Sequence, residues 1–367
     1  MSIQRTPERT WQVRWRDANG RQRSRTFKKK VDAERFERET LVDQGRGTWI
    51  DPDLGGISVE AWSEMWLAGA RNLKPRSLAA YEECLRRILP ALGDKRLNRI
   101  TDNDIDTFLT DLGAEVGPST VHRHYRTLRR MFRVAVQRGR IPRSPVDPVE
   151  EPRIPEEEMR FLTATELETL ASTISAPYRT LVLVAGWGGL RWGELAALRC
   201  ERVDVERSRV HVVTQLDQSG TVESEPKSRA GRRWVTVPES VMADLADHID
   251  GRTGLVWTAP AGGPLRHGNF LRRDFYPAAI ACGLGKRPDR GRYEGVSPHD
   301  LRHTAAALAI GRGVHPKSLQ MRMGHAKIAV TLDTYGHLFP NMDEDLGHQL
   351  DETRSKALSE LRKLRAV

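Results

Sequence analysis

The spacing of apolar residues changes along the chain, and the changes divide it into segments. Near the start, Trp11, Val13 and Trp15 alternate with Gln12, Arg14 and Arg16, the period-2 signature of a half-buried strand. Asp17-Ala18-Asn19-Gly20 is a tight-turn signal, so Arg21 to Phe27 reads as the return strand. A charged helix is predicted from about Val31 to Gln44. From about residue 56 the spacing becomes helical. Thr101-Asp102-Asn103-Asp104 is a capping-box pattern with Asp in place of Glu, and Ile100 and Ile105 sit at staple spacing. Ser119 or Thr120 can cap the next helix, which runs to about Gln137. It carries Val121, Tyr125, Leu128, Phe132, Ala135 and Val136 on one face.

Ile141 to Glu158 holds Pro142, Pro145, Pro148, Pro152 and Pro155 among glutamates, which denies both helix and central strand. It reads as a stiff acidic linker. Beyond it, Thr163-Ala164-Thr165-Glu166 is another capping box, and Pro177 to Trp187 is apolar enough for a buried helix broken by Gly188-Gly189. A helix starts near Arg191. Arg209 to Thr214, Thr221-Val222 and Arg233 to Val237 are β-rich, and helices return after Pro264. In the tail, Leu350, Ala357, Leu358, Leu361 and Leu364 recur at helical spacing.

The fold class is therefore multidomain, mainly α with small β-sheets. A small sheet-plus-helix domain spans 1–55, and a helical domain spans 56–150 with a linker at about 141–158. An α+β domain follows over 159–345, and a helical tail over 346–367.

Composition narrows the partners. With 38% hydrophobic and 29% charged residues in 367, the chain can bury sizeable cores. Its net charge of +10 points to a polyanion, and residues 1–50 alone carry 13 Lys/Arg against 7 Asp/Glu. No run of about 18 apolar residues predicts a membrane span, and Met1 to Thr10 has no signal-peptide core. Three distant cysteines argue against a disulfide framework, so a cytoplasmic protein is expected. Arg14, Arg16, Arg21, Arg23 and Arg25 on the hairpin, and Arg123, Arg126 and Arg130 on the helix, are candidate DNA contacts. A solvated basic face is the alternative.

Ser297-Pro298-His299-Asp300-Leu301-Arg302-His303 reads as a capped helix start with His299 and Arg302 three apart on one face. Free N–H groups and two cations there suit a phosphate. A zinc reading of His299 and His303 lacks the Glu that follows the first His in metalloprotease helices. Arg191 stands at a second glycine-rich helix entry, where Glu194 can hold its guanidinium. Two arginines can grip both non-bridging oxygens of one phosphodiester. Lys227, in Pro226-Lys227-Ser228-Arg229-Ala230-Gly231, could reach a leaving oxygen. Gly324-His325 ends a helix, and Thr331 to Tyr335 presents a tyrosine that could act as a covalent nucleophile.

In this order, Arg191, Lys227, His299-x-x-Arg302, Gly324-His325 and Tyr335 resemble the tyrosine recombinase (phage-type integrase) family. The resemblance implies strand exchange between two specific sites on double-stranded DNA. Tyr335 would attack the scissile phosphate to make a 3′-phosphotyrosyl link. Arg191 and Arg302 would stabilise the phosphate, Lys227 would protonate the 5′ oxygen, His299 would help deprotonate the tyrosine, and His325 would bond the phosphate. Glu194 is a supporting residue. No metal ion, ATP or other cofactor is implied. Residues 60–150 resemble the family's core-binding domain and 1–55 an arm-binding domain. The resemblance further implies a homotetramer on attachment-site DNA in a bacterial host, with room for host DNA-bending and directionality factors. The tail is expected to dock on a neighbouring protomer. The competing readings are a type IB topoisomerase-like nicking–closing enzyme and a non-catalytic DNA-binding regulator.

Overall fold

The structure is a computed structural model and describes residues 1–16, 22–45, 55–70, 73, 75–155, 159–221, 223–224, 229–288, 291–339 and 343–365. The Asp17–Gly20 turn, Arg21, the Arg16 side chain, Val222 and Lys227 lie outside the described residues. The chain divides into two units, Met1–Glu157 and Glu158–Val367.

The first unit opens with an antiparallel sheet in the order β1 (Ser2–Arg5), β2 (Trp11–Arg16), β3 (Gln22–Phe27), followed by α1 (Lys30–Gly45). Strand β1 was not expected, because Ser2-Ile3-Gln4-Arg5 is too short and polar to show a period. Val13 and Trp15 are buried with Ala33 of α1, and Phe36 packs on Trp15 and Phe27. Register then sorts the arginines. Arg25 pairs with Val13 and Arg23 with Trp15, whereas Arg14 pairs with Ser24 and Ser2. Directly opposed residues share a face, so Arg23 and Arg25 lie on the helix-covered side and Arg14 on the open side. The Arg25 guanidinium lies 5.5 Å from the Phe27 ring and 5.3 Å from the Phe36 ring, closing the edge of this small core. The described hairpin arginines thus lie on two faces with different surroundings.

Helices α2 (Val59–Ala68), α3 (Pro75–Leu92), α4 (Asp102–Glu115) and α5 (Pro118–Gln137) share a second core. Both halves of the Thr101–Asp104 capping box form, with the Thr101 N–H donating to Asp104 Oδ2 at 2.9 Å. Trp62 is fully buried and donates from Nε1 to the Met131 carbonyl at 3.3 Å. Helix α5 starts at Pro118 with Gly117 as its cap, two residues before Ser119 and three before Thr120. Proline's fixed φ suits the first helical position, and its missing N–H costs nothing there. Arg123 pairs with Glu83 of α3 at 3.2 Å. Arg126 and Arg130 are exposed and have no ion-pair partner among the described residues. The proline-rich stretch is not all linker: Ile141, Val146 and Val149 are buried in this core. The Tyr125 hydroxyl donates to the Val149 carbonyl at 3.3 Å, fastening the chain as far as that residue.

The second unit begins with α6 (Ala164–Thr173), capped by Thr163 and Glu166 as a full box. Its central helix α7 (Arg179–Leu183) continues as a π-helical turn over Val184–Gly188 and ends at Gly189, where φ is 75°. The single helix expected over Pro177–Trp187 is thus split, with Pro177 inside an opening 3-10 turn. After α8 (Trp192–Ala196), strands β4 (Val203–Asp204), β5 (Arg209–Val212) and β8 (Arg233–Thr236) form an antiparallel sheet. The short β6 (Gln215–Leu216) and β7 (Glu223–Ser224) pair beside it in sequence. Then come α9 (Glu239–Ile249), α10 (His267–Phe270), α11 (Tyr276–Ala281), the pair β9 (Gly285–Lys286) and β10 (Glu294–Gly295), and α12 (Pro298–Ile310). Last are α13 (Pro316–Met323), α14 (Ile328–Tyr335) and α15 (Asp343–Arg365).

Residues 180–183 of α7 are all buried, Leu181, Val182 and Leu183 in the main core, while Ala306, Ile310, Leu319, Met323 and Tyr335 form a smaller core that joins α12, α13 and α14. Leu350, Leu358 and Leu361 of α15 are exposed. Among the described residues, no helix is long and apolar enough to cross a membrane.

Candidate active site

Three chain segments meet at the second unit's smaller core: the start of α8, the start of α12, and the stretch from the end of α13 through α14. At α12, Pro298 occupies the first helical position, and both the N–H and hydroxyl of Ser297 donate to Asp300 Oδ2, at 2.7 and 2.8 Å. This closed cap fixes the helix axis and aims Arg302 inward.

Arg302 is only 2% exposed. Its Nη1 donates to the Gly189 carbonyl, and its Nη2 to the Met323 carbonyl and, at 3.1 Å, to His325 Nε2. The guanidinium has five N–H groups, so this leaves N–H capacity for an incoming anion. Burial, reinforced by the positive Arg191 nearby, pulls its pKa down to about 9, which still leaves it charged at neutral pH. The Gly189 carbonyl is available because Gly189 adopts a left-handed conformation that turns the chain out of the π-helical segment.

Arg191 caps α8. Its backbone N–H donates to Glu194 Oε2 at 2.9 Å and its Nη1 to Glu194 Oε1 at 2.9 Å, while Nη2 reaches the Gly324 carbonyl at 3.2 Å. Glu194 is buried and also takes a two-pronged bond from Arg233, from Nη1 to Oε1 at 3.0 Å and Nη2 to Oε2 at 2.9 Å. Burial pushes the Glu194 carboxyl up, but Arg233, Arg191 and Arg302 together outweigh it and hold the group below the ordinary range. Arg233 was not singled out in the sequence. It also donates from Nε to the Arg322 carbonyl at 2.7 Å, tying β8 to the end of α13. A Cβ at Gly324, where φ is 64°, would stand 2.7 Å from Arg233 Nη1. Glycine is required there by conformation and by space.

His325 is held from both sides. Arginine only donates, so His325 Nε2 accepts from Arg302, and the ring proton sits on Nδ1, donating to Thr331 Oγ1 at 2.9 Å. Burial, with Arg302, Arg191 and Arg233 adding to it, pushes its pKa down to about 4, so the ring is neutral. Thr331 is fully buried and is a second residue that sequence reasoning missed.

The Tyr335 hydroxyl is buried among these groups, 1% of the residue remaining exposed. Burial raises its pKa, with Arg302 and Arg191 opposing. The ring nitrogen in reach of Tyr335 Oη is Nδ1 of His303, at 2.9 Å. His299 lies one helical turn away, its ring edge-on to that of His303 with centroids 4.5 Å apart. Arg191, Glu194, His299, Arg302, His325 and Tyr335 are therefore brought to one site, and His303 and Arg233 join them.

The family model described as "Phage integrase family" matches residues 153–342, just over half of the chain. That described as "Phage integrase, N-terminal SAM-like domain" matches 58–113. A prophage phiRv2 integrase of Mycobacterium tuberculosis is 29% identical over 361 residues, covering 93% of this chain and 92% of the relative. The integrase of Mycobacterium phage D29 is 27% identical, covering 89% of each. Among solved structures, the Tn1549 transposon integrase in complex with a circular intermediate DNA superposes with a TM-score of 0.68. The identity is 20%, over 81% of this chain and 99% of that one. A lambda integrase tetramer bound to a Holliday junction gives 0.58 at 18% identity, over 89% of this chain and 95% of that one. These two structures share the fold. The chain belongs to the phage integrase family, the tyrosine class of site-specific DNA recombinases.

Proposed function

We propose that this recombinase is the integrase of a phage or integrative element, and that it cuts and rejoins double-stranded DNA through a 3′-phosphotyrosine at Tyr335. The observation that carries the reading is the convergence of Arg191, Arg302 and His325 around one buried tyrosine hydroxyl. Tyr335 Oη attacks the scissile phosphorus, and the 5′ oxygen leaves with a proton from Lys227. Arg191 and Arg302 stabilise the charge that develops on the non-bridging oxygens. His325 donates to one of those oxygens from Nε2. That calls for the other neutral tautomer, in which solvent supplies the Nε2 proton as Nδ1 releases its own and the Thr331 hydroxyl then donates to Nδ1. Glu194 holds Arg191 and is not a reactant. The bond energy stays in the covalent link, so the reaction calls for no ATP, and fixed cations occupy the role a metal would fill.

The reading is tested by mixing the protein with a nicked suicide duplex from candidate core-site DNA beside the gene, in EDTA. An SDS-resistant adduct whose DNA-linked peptide contains Tyr335 is expected. Binding without an adduct on that DNA would overturn it.

The other parts follow as proposals. The sheet of residues 1–55 contacts arm-type sites through its open face with Arg14, and α5 contacts core DNA through Arg126 and Arg130. The exposed leucines of α15 join protomers into a tetramer on DNA, in a bacterial cytoplasm. Host bending and directionality factors act on that assembly. Two truncations separate these roles. Removing residues 1–55 should abolish arm-site binding and spare core-site cleavage, and removing 346–367 should leave single-site binding but abolish tetramers. Unchanged arm affinity or unchanged assembly, in gel-shift and sedimentation measurements, would sink the corresponding assignment.

A further inference from the structure

We propose that His303, the residue after Arg302, is the catalytic base that takes the proton from Tyr335, with His299 positioned behind it. The inference rests on Tyr335 being the nucleophile. Its first ground is distance: His303 Nδ1 is 2.9 Å from Tyr335 Oη, and the two rings meet edge-on. Among the described residues, no other side chain forms a hydrogen bond with that hydroxyl. Its second ground is construction. His303 is half-buried on α12, whose cap is closed by Asp300, while Tyr335 sits at the end of α14 in a core shared with α12. The Tyr335 ring cannot turn away without disturbing that packing. His299 touches the face of this arrangement through His303, not through the tyrosine.

The proton balance closes. As Oη bonds to phosphorus, its proton passes to His303 Nδ1. The P–O5′ bond breaks, and the 5′ oxygen takes the proton that Lys227 supplies. In rejoining, the 5′ hydroxyl attacks and gives its proton back to Lys227, the P–Oη bond breaks, and His303 returns its proton to Tyr335.

The groups around His303 are His299, Asp300 and Arg302 on its own helix, Tyr335 on α14, and His325 in the loop before α14. Burial and the positive neighbours push the imidazole down to about 4, so it is unprotonated and able to accept at any working pH. An entering phosphodiester brings negative charge beside it and raises its basicity in the complex.

The test measures cleavage rates of the full chain on suicide duplexes with an ordinary phosphodiester or a 5′-bridging sulfur, which leaves without a proton. His303→Ala and His303→Gln should bind DNA as wild type does yet cleave about 100-fold or more slowly. The defect relative to wild type should persist with sulfur, whereas Lys227→Ala should recover. Wild-type cleavage should be flat between pH 6 and 9, while both variants should speed up with pH as tyrosinate becomes available. A near-wild-type rate in either variant overturns the assignment, because glutamine can hold the hydroxyl but cannot take its proton. Rescue of the variants by sulfur overturns it as well. Tyr335→Phe is the separate control: an adduct in that variant would overturn the nucleophile itself, and with it the base.

Discussion

Tyr335→Phe should give no detectable covalent complex, a loss of at least about 10,000-fold in cleavage, while DNA affinity stays within a factor of two or so of wild type. The reason lies in what the hydroxyl touches. The ring is packed among Ala306, Ile310, Leu319 and Met323, and phenylalanine fills the same space. The one hydrogen bond removed is to His303, worth about 1 kcal/mol net, so the melting temperature should fall by only about 2–4 °C. The cations that grip phosphate are untouched. A suicide-substrate gel, a binding isotherm and a melting curve on the same preparation separate chemistry from folding. Lost binding, or a much larger drop in melting temperature, would mean that the hydroxyl holds the site together and does not serve reaction alone.

Glu194→Ala should do the reverse, striking stability first. Glu194 accepts from Arg233 and Arg191 with both oxygens, and its removal leaves the Arg233 guanidinium buried without its counter-charge. Breaking a buried pair from one side costs about 3–5 kcal/mol. That corresponds to a melting temperature lower by at least about 6 °C. The carboxyl is held below its ordinary value of 4.5. Its contribution is therefore complete above that pH and is lost as pH falls through the lower folded value, so the variant should lack this part of the acid limb. Replacing both partners, as Glu194→Leu with Arg233→Met, should recover most of the stability, since apolar residues of similar volume can substitute for a buried pair. Cleavage should not recover, because Arg191 would still lack its anchor. Recovery of cleavage in the double variant would remove Glu194 from the positioning role.

What the sequence disclosed, and what it hid, follows from how far each contact reaches along the chain. Ser297, Pro298 and Asp300 form a cap within four residues, and Arg191 and Glu194 pair within one turn, so both were readable from spacing alone. The bond between His303 and Tyr335 spans 32 residues and two helices, and no local period announces it. His303 was weighed only as a zinc ligand. Arg233 did leave a signal. It shares strand parity with Val235 and Val237, both buried, while Trp234 faces outward at 45% exposure. An arginine on the apolar side of a strand must find a buried acid, and Glu194 is that acid. The faces of the hairpin arginines were hidden for the same kind of reason: counting them gave charge, but only the register with Val13 and Trp15 assigns them to faces.

The proposed nucleophile, its hydrogen-bond partner and the arginines around it all lie on one polypeptide, the tyrosine packed in a core made from its own helices α12 and α13. On the proposed reading, each subunit would then cut with its own tyrosine. In an assembly that mixes intact and disabled copies, breaks would then follow the census of intact chains.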